Sequence, residues 1–322
     1  MLGTFQIRTD LALEARESFE EEDIKIRGVR IWEEEDKEQE IKTTTVVIET
    51  ENGAKTMGKP VGTYITMEAP NMSVPDEDYH REISEKLAGH LEILMKGKKK
   101  SVLVVGLGNR DVTPDALGPY VVKNVRITRH LLKEYGTSWM KEKEAASVSG
   151  VIPGVMAQTG METLEIIRGV VKESSPDLIL VVDALAARST RRLGRTIQLT
   201  DTGIHPGSGV GNHRSGINRQ TLGIPVIAIG VPTVVDAATI VSDTMESLVE
   251  TMDATEHMQH LGGVLGTLNR VEKHQMLTEL ISPQLNTMFV TPKDVDETVK
   301  RISYTISEGI NLALLGPPEK EA

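Results

Sequence analysis

The chain has 322 residues, of which 39% are hydrophobic, 26% charged and 3% aromatic, a composition typical of a globular protein with a sizeable core. The net charge of −11 disfavours direct binding to nucleic acid, because an acidic surface repels phosphates and so few aromatic side chains cannot build a base-stacking platform. The absence of cysteine excludes disulfides and thiolate chemistry, and no apolar run approaches the roughly 20 residues of a membrane span.

The N-terminal part of the chain is predicted to be rich in β-structure. The acidic segment Trp32 to Lys42 is typical of a solvated turn between strands. The β-branched segments Thr43 to Thr50 and Val61 to Glu68 predict two strands, and Asn52-Gly53 between them predicts a tight hairpin.

Helices and strands alternate from there onward. Ser73 with Asp76 predicts a helix start, followed by a helix whose apolar face is formed by Ile83, Leu87, Leu91 and Leu94. Further strands are predicted at Ser101 to Val105, in an apolar run ending at Asp183, in "RTIQLTDTG" and in "IPVIAIGVPT". Further helices are predicted at about Asp115 to Glu134, Glu162 to Lys172, Ala238 to His260, and from Thr291 and Asp294 to Leu315. This alternation predicts an α/β fold with a mostly parallel sheet covered on both faces.

The segment "VLVVGLGNRDVTPDALGP" begins like a dinucleotide-binding loop, because an apolar strand runs into Gly106 and Gly108. The third glycine of that pattern is replaced by Asp111, and Asp115 would also face a bound pyrophosphate. The dinucleotide interpretation is therefore disfavoured, and the glycines are expected to let the backbone turn sharply after a buried strand.

Asp115 and Asp183 are the candidate catalytic residues. Taken singly, Asp115 fits an acid near a helix start and Asp183 fits a residue that ends a strand and caps a helix. Taken together, they follow two carboxyl ends of a buried sheet, where sites of such folds lie. Two such carboxylates can share a proton, so that one acts as a base toward water and the other as an acid. Backbone N–H groups between Gly106 and Asn109 are the expected donors to an oxyanion.

Other candidate motifs have ordinary structural explanations. Asp201-Thr202-Gly203 matches the signature of pepsin-like proteases, but those enzymes use two copies on an all-β scaffold, so Asp201 is interpreted as a loop residue. The glycine-rich run Gly203 to Gly216 is interpreted as a functional loop, which also carries Arg214. Its histidines, His205 and His213, lack metal-ligand spacing. A second pair of histidines, His257 and His260, is expected on a helix surface.

Five segments together resemble the germination proteases, also called spore proteases: "IRTDLALEA", "GLGNRDVTPDALGP", "DALAARS", "DTGIHPGSGVGNHR" and "GIPVIAIGVPTVVDA". The resemblance runs from about Ile7 to the C-terminal helix. It implies an endopeptidase that degrades small acid-soluble DNA-binding spore proteins, with an atypical aspartic mechanism and no cofactor. By motif, the catalytic residues are Asp115 and Asp183. A metal-dependent peptidase using the same aspartates plus a histidine such as His205 is the alternative.

The resemblance also implies a fold and a life history. The fold is expected to be a three-layer αβα arrangement similar to hydrogenase-maturation proteases. Residues 1–10 are expected to be a pro-segment removed by self-cleavage between Asp10 and Leu11, so that the sequence is the unprocessed form. Residues 11–322 would form a single catalytic domain of a homotetramer in the spore core, without a nucleic-acid or membrane partner.

Overall fold

The structure is a computed structural model that describes residues 26–97, 100–136, 146–207, 214–237, 239–241, 243, 244, 247 and 288–317. Several predictions from the sequence lie outside these residues. They are the pro-segment with its Asp10–Leu11 bond, His213, the histidines at 257 and 260, and most of the helix predicted at 238–260.

In the part of the chain that the structure describes, nine strands form one sheet. They are β1 (Val29–Asp36), β2 (Ile41–Ile48), β3 (Gly62–Glu68), β4 (Ser101–Gly106), β5 (Ser147–Val151), β6 (Leu178–Ala187), β7 (Thr196–Thr200), β8 (Val226–Asp236) and β9 (Phe289–Val290). The helices among the described residues are α1 (Glu51–Met57), α2 (Glu77–Met95), α3 (Leu117–Asn124), α4 (Arg129–Tyr135), α5 (Met156–Thr159), α6 (Thr163–Ser174), α7 (Arg219–Leu222) and α8 (Val295–Leu315).

The predicted α/β class is confirmed, but the sheet is mixed rather than mostly parallel. Its strand order is β1-β2-β3-β7-β8-β6-β4-β5, and β9 pairs with β8. The pairings β4–β5, β4–β6 and β6–β8 are parallel, whereas β1–β2, β2–β3, β3–β7, β7–β8 and β8–β9 are antiparallel. We call β5, β4, β6 and β8 the parallel half of the sheet and β1, β2, β3 and β7 the antiparallel half.

Helices cover both faces of this sheet, as predicted. Val102 and Val104 of β4 pack in one core with residues of α2, α3 and α8, whereas Leu103 and Val105 pack in a second core with residues of α6. Helix α1 covers the second face of the antiparallel half through Met57. Alternate residues of one strand thus enter different cores, because successive side chains of a strand point to opposite faces.

The Asn52-Gly53 hairpin prediction is wrong, although the two flanking strands do pair antiparallel. The dipeptide lies in α1, whose first turn is capped by Thr50, because the Thr50 hydroxyl accepts a 3.1 Å hydrogen bond from the N–H of Gly53. The acidic segment is also partly reassigned, since β1 extends through Asp36 and only residues 37–40 form the turn.

The helix predicted from Asp115 to Glu134 is broken into α3 and α4. Two tertiary hydrogen bonds hold the interruption: the N–H of Arg126 donates to the side chain of Asn311 at 2.8 Å, and the hydroxyl of Thr128 donates to Ala146 at 2.8 Å. The backbone is therefore drawn toward α8 and β5.

The helix predictions for α2, α6 and α8 agree with the structure apart from the caps predicted at Ser73 and Thr291, since the Thr291 hydroxyl donates to the carbonyl oxygen of Thr233 instead. Helix α2 begins after Asp76, whose side chain accepts from the N–H of Tyr79, so Asp76 rather than Ser73 is the N-cap. Helices α6 and α8 lie where they were predicted. Among the described residues, no helix combines the length and apolar character needed to cross a bilayer.

Candidate active site

Asp115 and Asp183 line the same pocket, which has a volume of about 500 Å³ and lies where β4 ends beside β6. The residues are 68 positions apart in the sequence, yet the sheet places Asp183 of β6 beside the loop that follows β4 and carries Asp115. The surrounding wall is largely apolar, with Val112, Val155 and Phe289 among its residues. A pocket of this kind, with a few convergent polar groups, is the usual form of a small binding or reaction site.

Asp115 is presented by a tight loop that follows β4. The strand ends at Gly106, and Asp115 closes a short 3₁₀ turn over Thr113–Asp115. Its Oδ2 atom accepts a hydrogen bond of 2.6 Å from the backbone N–H of Asn109. The carboxyl group is therefore held by its own loop in one orientation.

The glycines of this loop allow close packing around Asp115 and are not needed to bind a phosphate. Gly108 has a φ of +109°, and a Cβ atom there would lie 1.9 Å from the carbonyl oxygen of Asp115. A Cβ on Gly106 would lie 2.2 Å from the carbonyl oxygen of Gly118, so the end of β4 touches the start of α3. Only residues without a side chain allow this approach.

Asp111, which replaces the third glycine, also has a structural partner. The side-chain amide of Gln158 donates to Asp111 Oδ2 at 3.3 Å and to Asn109 Oδ1 at 3.0 Å. These bonds tie the aspartate loop to α5.

Distant elements fix the turn that carries Asp115. The hydroxyl of Thr233 on β8 donates to the carbonyl oxygen of Pro114 at 2.7 Å, and Thr233 is buried. The hydroxyl of Thr113 donates to Asp296 on α8 at 2.7 Å. Sequence inspection missed both partners, because nothing near either residue indicates a contact across more than 100 positions.

Asp183 lies within a strand and not at its end, which corrects the sequence prediction. Strand β6 continues to Ala187, because β8 pairs with it along this whole stretch. Strand β4, in contrast, ends opposite Val182, whose carbonyl oxygen accepts from the N–H of Leu107 at 2.8 Å. Asp183 therefore stands just beyond the end of β4, where it can line the pocket.

The Asp183 side chain is 6% exposed, and its Oδ1 atom accepts a 3.0 Å hydrogen bond from the N–H of Ala184. Burial raises the pKa of Asp115 above its ordinary value, while the Asn109 hydrogen bond and the charge of Arg214 oppose this shift. The physical cause is desolvation, which penalises the ionised form. A carboxyl group with a raised pKa is suited to donate a proton near neutral pH.

The loop between Gly106 and Asn109 offers fewer oxyanion donors than expected. The N–H of Leu107 is bound to Val182 and that of Asn109 to Asp115. Gly108 lines the pocket, and its N–H has no hydrogen-bond acceptor among the described residues.

Two basic side chains, His205 and Arg214, line the pocket as well. They flank residues 208–213 of the glycine-rich loop, and its two arms are joined by backbone hydrogen bonds between Ile204 and Ile217 of 3.0 and 2.8 Å. The sequence indicated a functional loop here without assigning a role to Arg214. In the described part of the chain, no cluster of three or more His, Asp or Glu side chains is arranged to hold a metal ion.

Asp201 lies away from this pocket. Its Oδ1 atom accepts from the N–H of Thr63 at 2.8 Å, and its Oδ2 atom lies 3.3 Å from the ammonium group of Lys96. The loop interpretation of the Asp-Thr-Gly motif agrees with this position, since Asp201 joins β7 to the start of β3.

Comparison with known proteins gives a consistent result. The family model described as germination protease matches residues 7–255 and 248–321. The germination protease of Caldanaerobacter subterraneus subsp. tengcongensis is 51% identical over 100% of this chain and 98% of its own length. Those of Clostridium perfringens and Geobacillus sp. are 44% and 40% identical, over 96% and 97% of this chain and 95% of their own lengths.

Similarity extends to solved structures, among them the [NiFe] hydrogenase maturation protease HycI from Thermococcus kodakarensis, with 17% identity and a TM-score of 0.32, covering 69% of this chain and 99% of that chain. HycI belongs to the hydrogenase-maturation proteases, whose fold the sequence analysis named as the expected one. The structural similarity is too low to support a conclusion about this chain.

Proposed function

Because the chain belongs to the germination protease family, we propose that it is an endopeptidase that cuts small acid-soluble spore proteins through the carboxyl pair Asp115 and Asp183. Membership of this family establishes that the chain is a protease. The catalytic type and the substrate are our proposal. The observation that carries it is the position of both aspartates in one largely apolar pocket.

The two carboxyl groups divide the work between acid and base. Asp183, ionised, takes a proton from a water molecule as the water oxygen attacks the peptide carbonyl carbon. Asp115, protonated, donates its proton to the carbonyl oxygen, which gives a tetrahedral intermediate. Asp183 then passes the proton it took from water to the amide nitrogen as the carbon–nitrogen bond breaks, and the hydroxyl group of the intermediate returns a proton to Asp115 as the carbonyl forms again. The direction of the pKa shift of Asp115 supports this assignment, because a raised pKa keeps this carboxyl group protonated to a higher pH than an ordinary aspartate.

The backbone contributes one further group. The N–H of Gly108 is the donor that we assign to the developing oxyanion, since it lines the pocket and its neighbours at 107 and 109 are already bound. A preorganised donor of this kind stabilises charge that develops in the transition state.

We also propose that the chain is made as a homotetrameric zymogen in the spore core. Self-cleavage between Asp10 and Leu11 would release residues 1–10. The same carboxyl pair would perform this cut, so mild acidification should accelerate it by favouring the singly protonated pair.

The test uses Asp115→Asn and Asp183→Asn in the full-length chain, with a small acid-soluble spore protein as substrate. General acid–base catalysis typically contributes about 10²–10⁴-fold, so each variant should lose at least roughly that much activity. The control is Asp201→Asn, which removes a charge outside the pocket and should leave cleavage within about threefold of the wild type. Near-normal cleavage by either pocket variant would contradict the carboxyl pair.

A chelator arm separates the metal-dependent alternative. The carboxyl-pair mechanism predicts the same rate for the wild-type protein before and after dialysis against a chelator. Loss of activity on dialysis, restored by a divalent cation, would instead support a metal site that includes His205.

A further inference from the structure

Strand β9 has an open edge. It pairs with β8 through Val290 opposite Val235 and Phe289 opposite Asp236, and in the part of the chain that the structure describes no strand lies on its other side. Three consecutive apolar side chains are exposed here, Met288 to 51%, Phe289 to 42% and Val290 to 39%. An exposed apolar edge of this kind is a template for pairing with another chain.

The backbone of Phe289 points toward this open edge. The N–H of Ala237 donates to the carbonyl oxygen of Met288 at 3.0 Å, so the backbone groups of Met288 face β8. In an antiparallel ladder such pairs alternate with pairs that form no hydrogen bonds, and Phe289 opposite Asp236 belongs to the second kind. Outside this ladder, neither backbone group of Phe289 has a hydrogen-bond partner among the described residues. Its N–H and carbonyl oxygen are therefore available to a strand added beside β9.

The same segment leads into the pocket of the two aspartates. Phe289 and Thr291 both line the pocket, as alternate residues on one face of an extended chain. The hydroxyl of Thr291 donates to the carbonyl oxygen of Thr233 at 2.9 Å, and the hydroxyl of Thr233 donates to that of Pro114 at 2.7 Å. Two hydrogen bonds thus connect the end of β9 to the turn that carries Asp115. A peptide beside β9 would direct alternate side chains to the face that lines the pocket.

We propose that the open edge of β9 binds the polypeptide substrate as an added strand, through backbone hydrogen bonds with Phe289. This inference rests on the proposed endopeptidase function. The substrate of an endopeptidase is a continuous chain, and its main chain carries the N–H and carbonyl groups that complement such an edge, whatever its side chains are. The partner is therefore an extended segment of the substrate without proline at the paired residue.

The paired segment lies several residues from the cut bond. Asp183 belongs to β6, which is separated from β9 by β8. Neighbouring strands lie about 4.8 Å apart, so a strand added to β9 would lie roughly 14 Å from β6. An extended chain advances about 3.3 Å per residue, so about four or more residues separate the paired residue from the bond that the acids attack. The edge of β9 is thus a remote binding site for substrate that continues the pocket.

The experiment uses the full-length chain and peptides of one spore-protein sequence that extend about eight residues on both sides of the cut bond. In each peptide one amide remote from that bond is replaced by an ester, which removes an N–H and keeps the side chains. We expect kcat/KM to fall about fivefold at one residue, as loss of a hydrogen bond of about 1 kcal/mol gives, and to stay unchanged at both adjacent residues. The fall should come from KM, because a remote contact binds substrate and transition state equally.

A matched pair of variants tests the protein side. Phe289→Pro removes the N–H at the edge without removing a hydrogen bond to β8, and proline is tolerated at such edge positions. Phe289→Leu is the control, because it also removes the ring but keeps the N–H. Phe289→Pro should cut the unmodified peptide about fivefold more slowly than Phe289→Leu, and the ester should then cause little further loss. A short peptide that ends about three residues from the cut bond on both sides should be cut equally by both variants.

Three outcomes would overturn the proposal. They are an ester scan without a loss that alternates along the peptide, equal rates for Phe289→Pro and Phe289→Leu on the long peptide, and a short peptide slowed as much as the long one by Phe289→Pro. A flat scan is also the result expected if another part of this chain or a second copy covers the edge.

The ester scan uses the wild-type protein, so it decides the proposal even if denaturant unfolding shows that Phe289→Pro does not fold. If the wild-type protein cuts neither the unmodified peptide nor the spore protein, the proposed function itself fails, which none of the three outcomes implies.

Discussion

The two halves of the sheet use aspartate differently. In the parallel half, Asp115 and Asp183 come from separate loops and strands yet line one pocket. In the antiparallel half, Asp201 joins two strands and is bound to Thr63 and Lys96. Parallel strands bring their carboxyl ends to one edge and collect side chains there, whereas antiparallel connections use an acid to fix a turn. The position in the sheet, and not the local motif, therefore decides what an aspartate does.

Among the variants that test this difference between the two halves, Gly118→Ala at the junction of β4 and α3 is expected to have the largest effect on stability and activity. The added Cβ would lie 2.4 Å from the carbonyl oxygen of Leu107 and 2.5 Å from that of Val182, and neither backbone can give way easily. Overpacking typically costs 1–3 kcal/mol, so we expect a loss of about 3 kcal/mol in the free energy of unfolding, together with a displaced Asp115 and lost activity.

Denaturant unfolding and peptide cleavage measure both consequences of Gly118→Ala. The control is Gly89→Ala in α2, where a Cβ meets no atom within 4 Å. Alanine favours a helix by roughly 1 kcal/mol over glycine, so this variant should be more stable and fully active. A tolerated Gly118→Ala would show that the close approach does not hold the site.

Asp201→Ala should give the next largest effect, and on stability alone. The change removes a hydrogen bond from the Thr63 N–H to a carboxylate and an ion pair with Lys96. Hydrogen bonds to charged groups contribute about 1.5–3 kcal/mol, so we expect a loss of about 2 kcal/mol in the free energy of unfolding. Cleavage at a temperature below the midpoint of thermal unfolding should stay near the wild-type rate, and a hundredfold loss would indicate that Asp201 acts in catalysis.

A pair of identical substitutions compares the halves directly. Thr233→Val in the parallel half removes the hydrogen bond to Pro114 and should cost about 1 kcal/mol while lowering kcat several-fold. Thr44→Val in the antiparallel half removes a buried hydroxyl that has no hydrogen-bond partner among the described residues. It should stabilise the protein by about 1 kcal/mol, because an unsatisfied buried hydroxyl is replaced by a methyl group.

Thermal or denaturant unfolding measures the two threonine variants, and kcat for a model peptide reports on the site. Equal effects on stability would indicate that Thr233 does not hold the turn that carries Asp115. A lower kcat in Thr44→Val would contradict the division between the halves.

The smallest expected effect is the pH dependence of the stability of Asp115→Asn. Burial raises the pKa of Asp115 above 3.8, so the folded protein holds this proton more tightly than the unfolded chain. Because the unfolded chain releases this proton more readily, the raised pKa lowers the free energy of unfolding at neutral pH. This penalty shrinks as the pH falls below the raised pKa and is gone below the pKa of the unfolded chain. Asn at this position should stabilise the protein near neutral pH, with a gain that shrinks on acidification.

Unfolding curves for the wild-type protein and Asp115→Asn at several pH values test this sign. A gain that grows as the pH falls would mean that the pKa of Asp115 is lowered in the folded state. Asp115 would then be the base of the pair.

Much of the fold and the identity of the candidate pair could be predicted from the sequence. The apolar run before Gly106, the run that contains Asp183 and the period of α2 are local patterns, and each gives an element near its predicted place. The pair Asp115 and Asp183 could be predicted because parallel strands separated by helices are expected to end at the same edge of the sheet. The predictions that failed depend on contacts between distant residues. Asn52-Gly53 lies in a helix capped by Thr50 and packed near Gly28, and β6 passes Asp183 because β8 stays paired with it.

By itself, the sequence determined the alternation of helices and strands and the α/β class, because these reside in local composition and spacing. Its motifs carry the resemblance to the germination proteases and indicate the two candidate aspartates. Only the tertiary structure decided that half of the sheet is antiparallel and that the backbones of Gly106 and Gly118 lie in close contact. It also decided that Arg214 lines the pocket together with Asp115. The physical reason is that packing and burial are properties of pairs of surfaces. The hydroxyl of Thr233 and the carbonyl of Pro114 lie 119 residues apart along the chain and 2.7 Å apart in space.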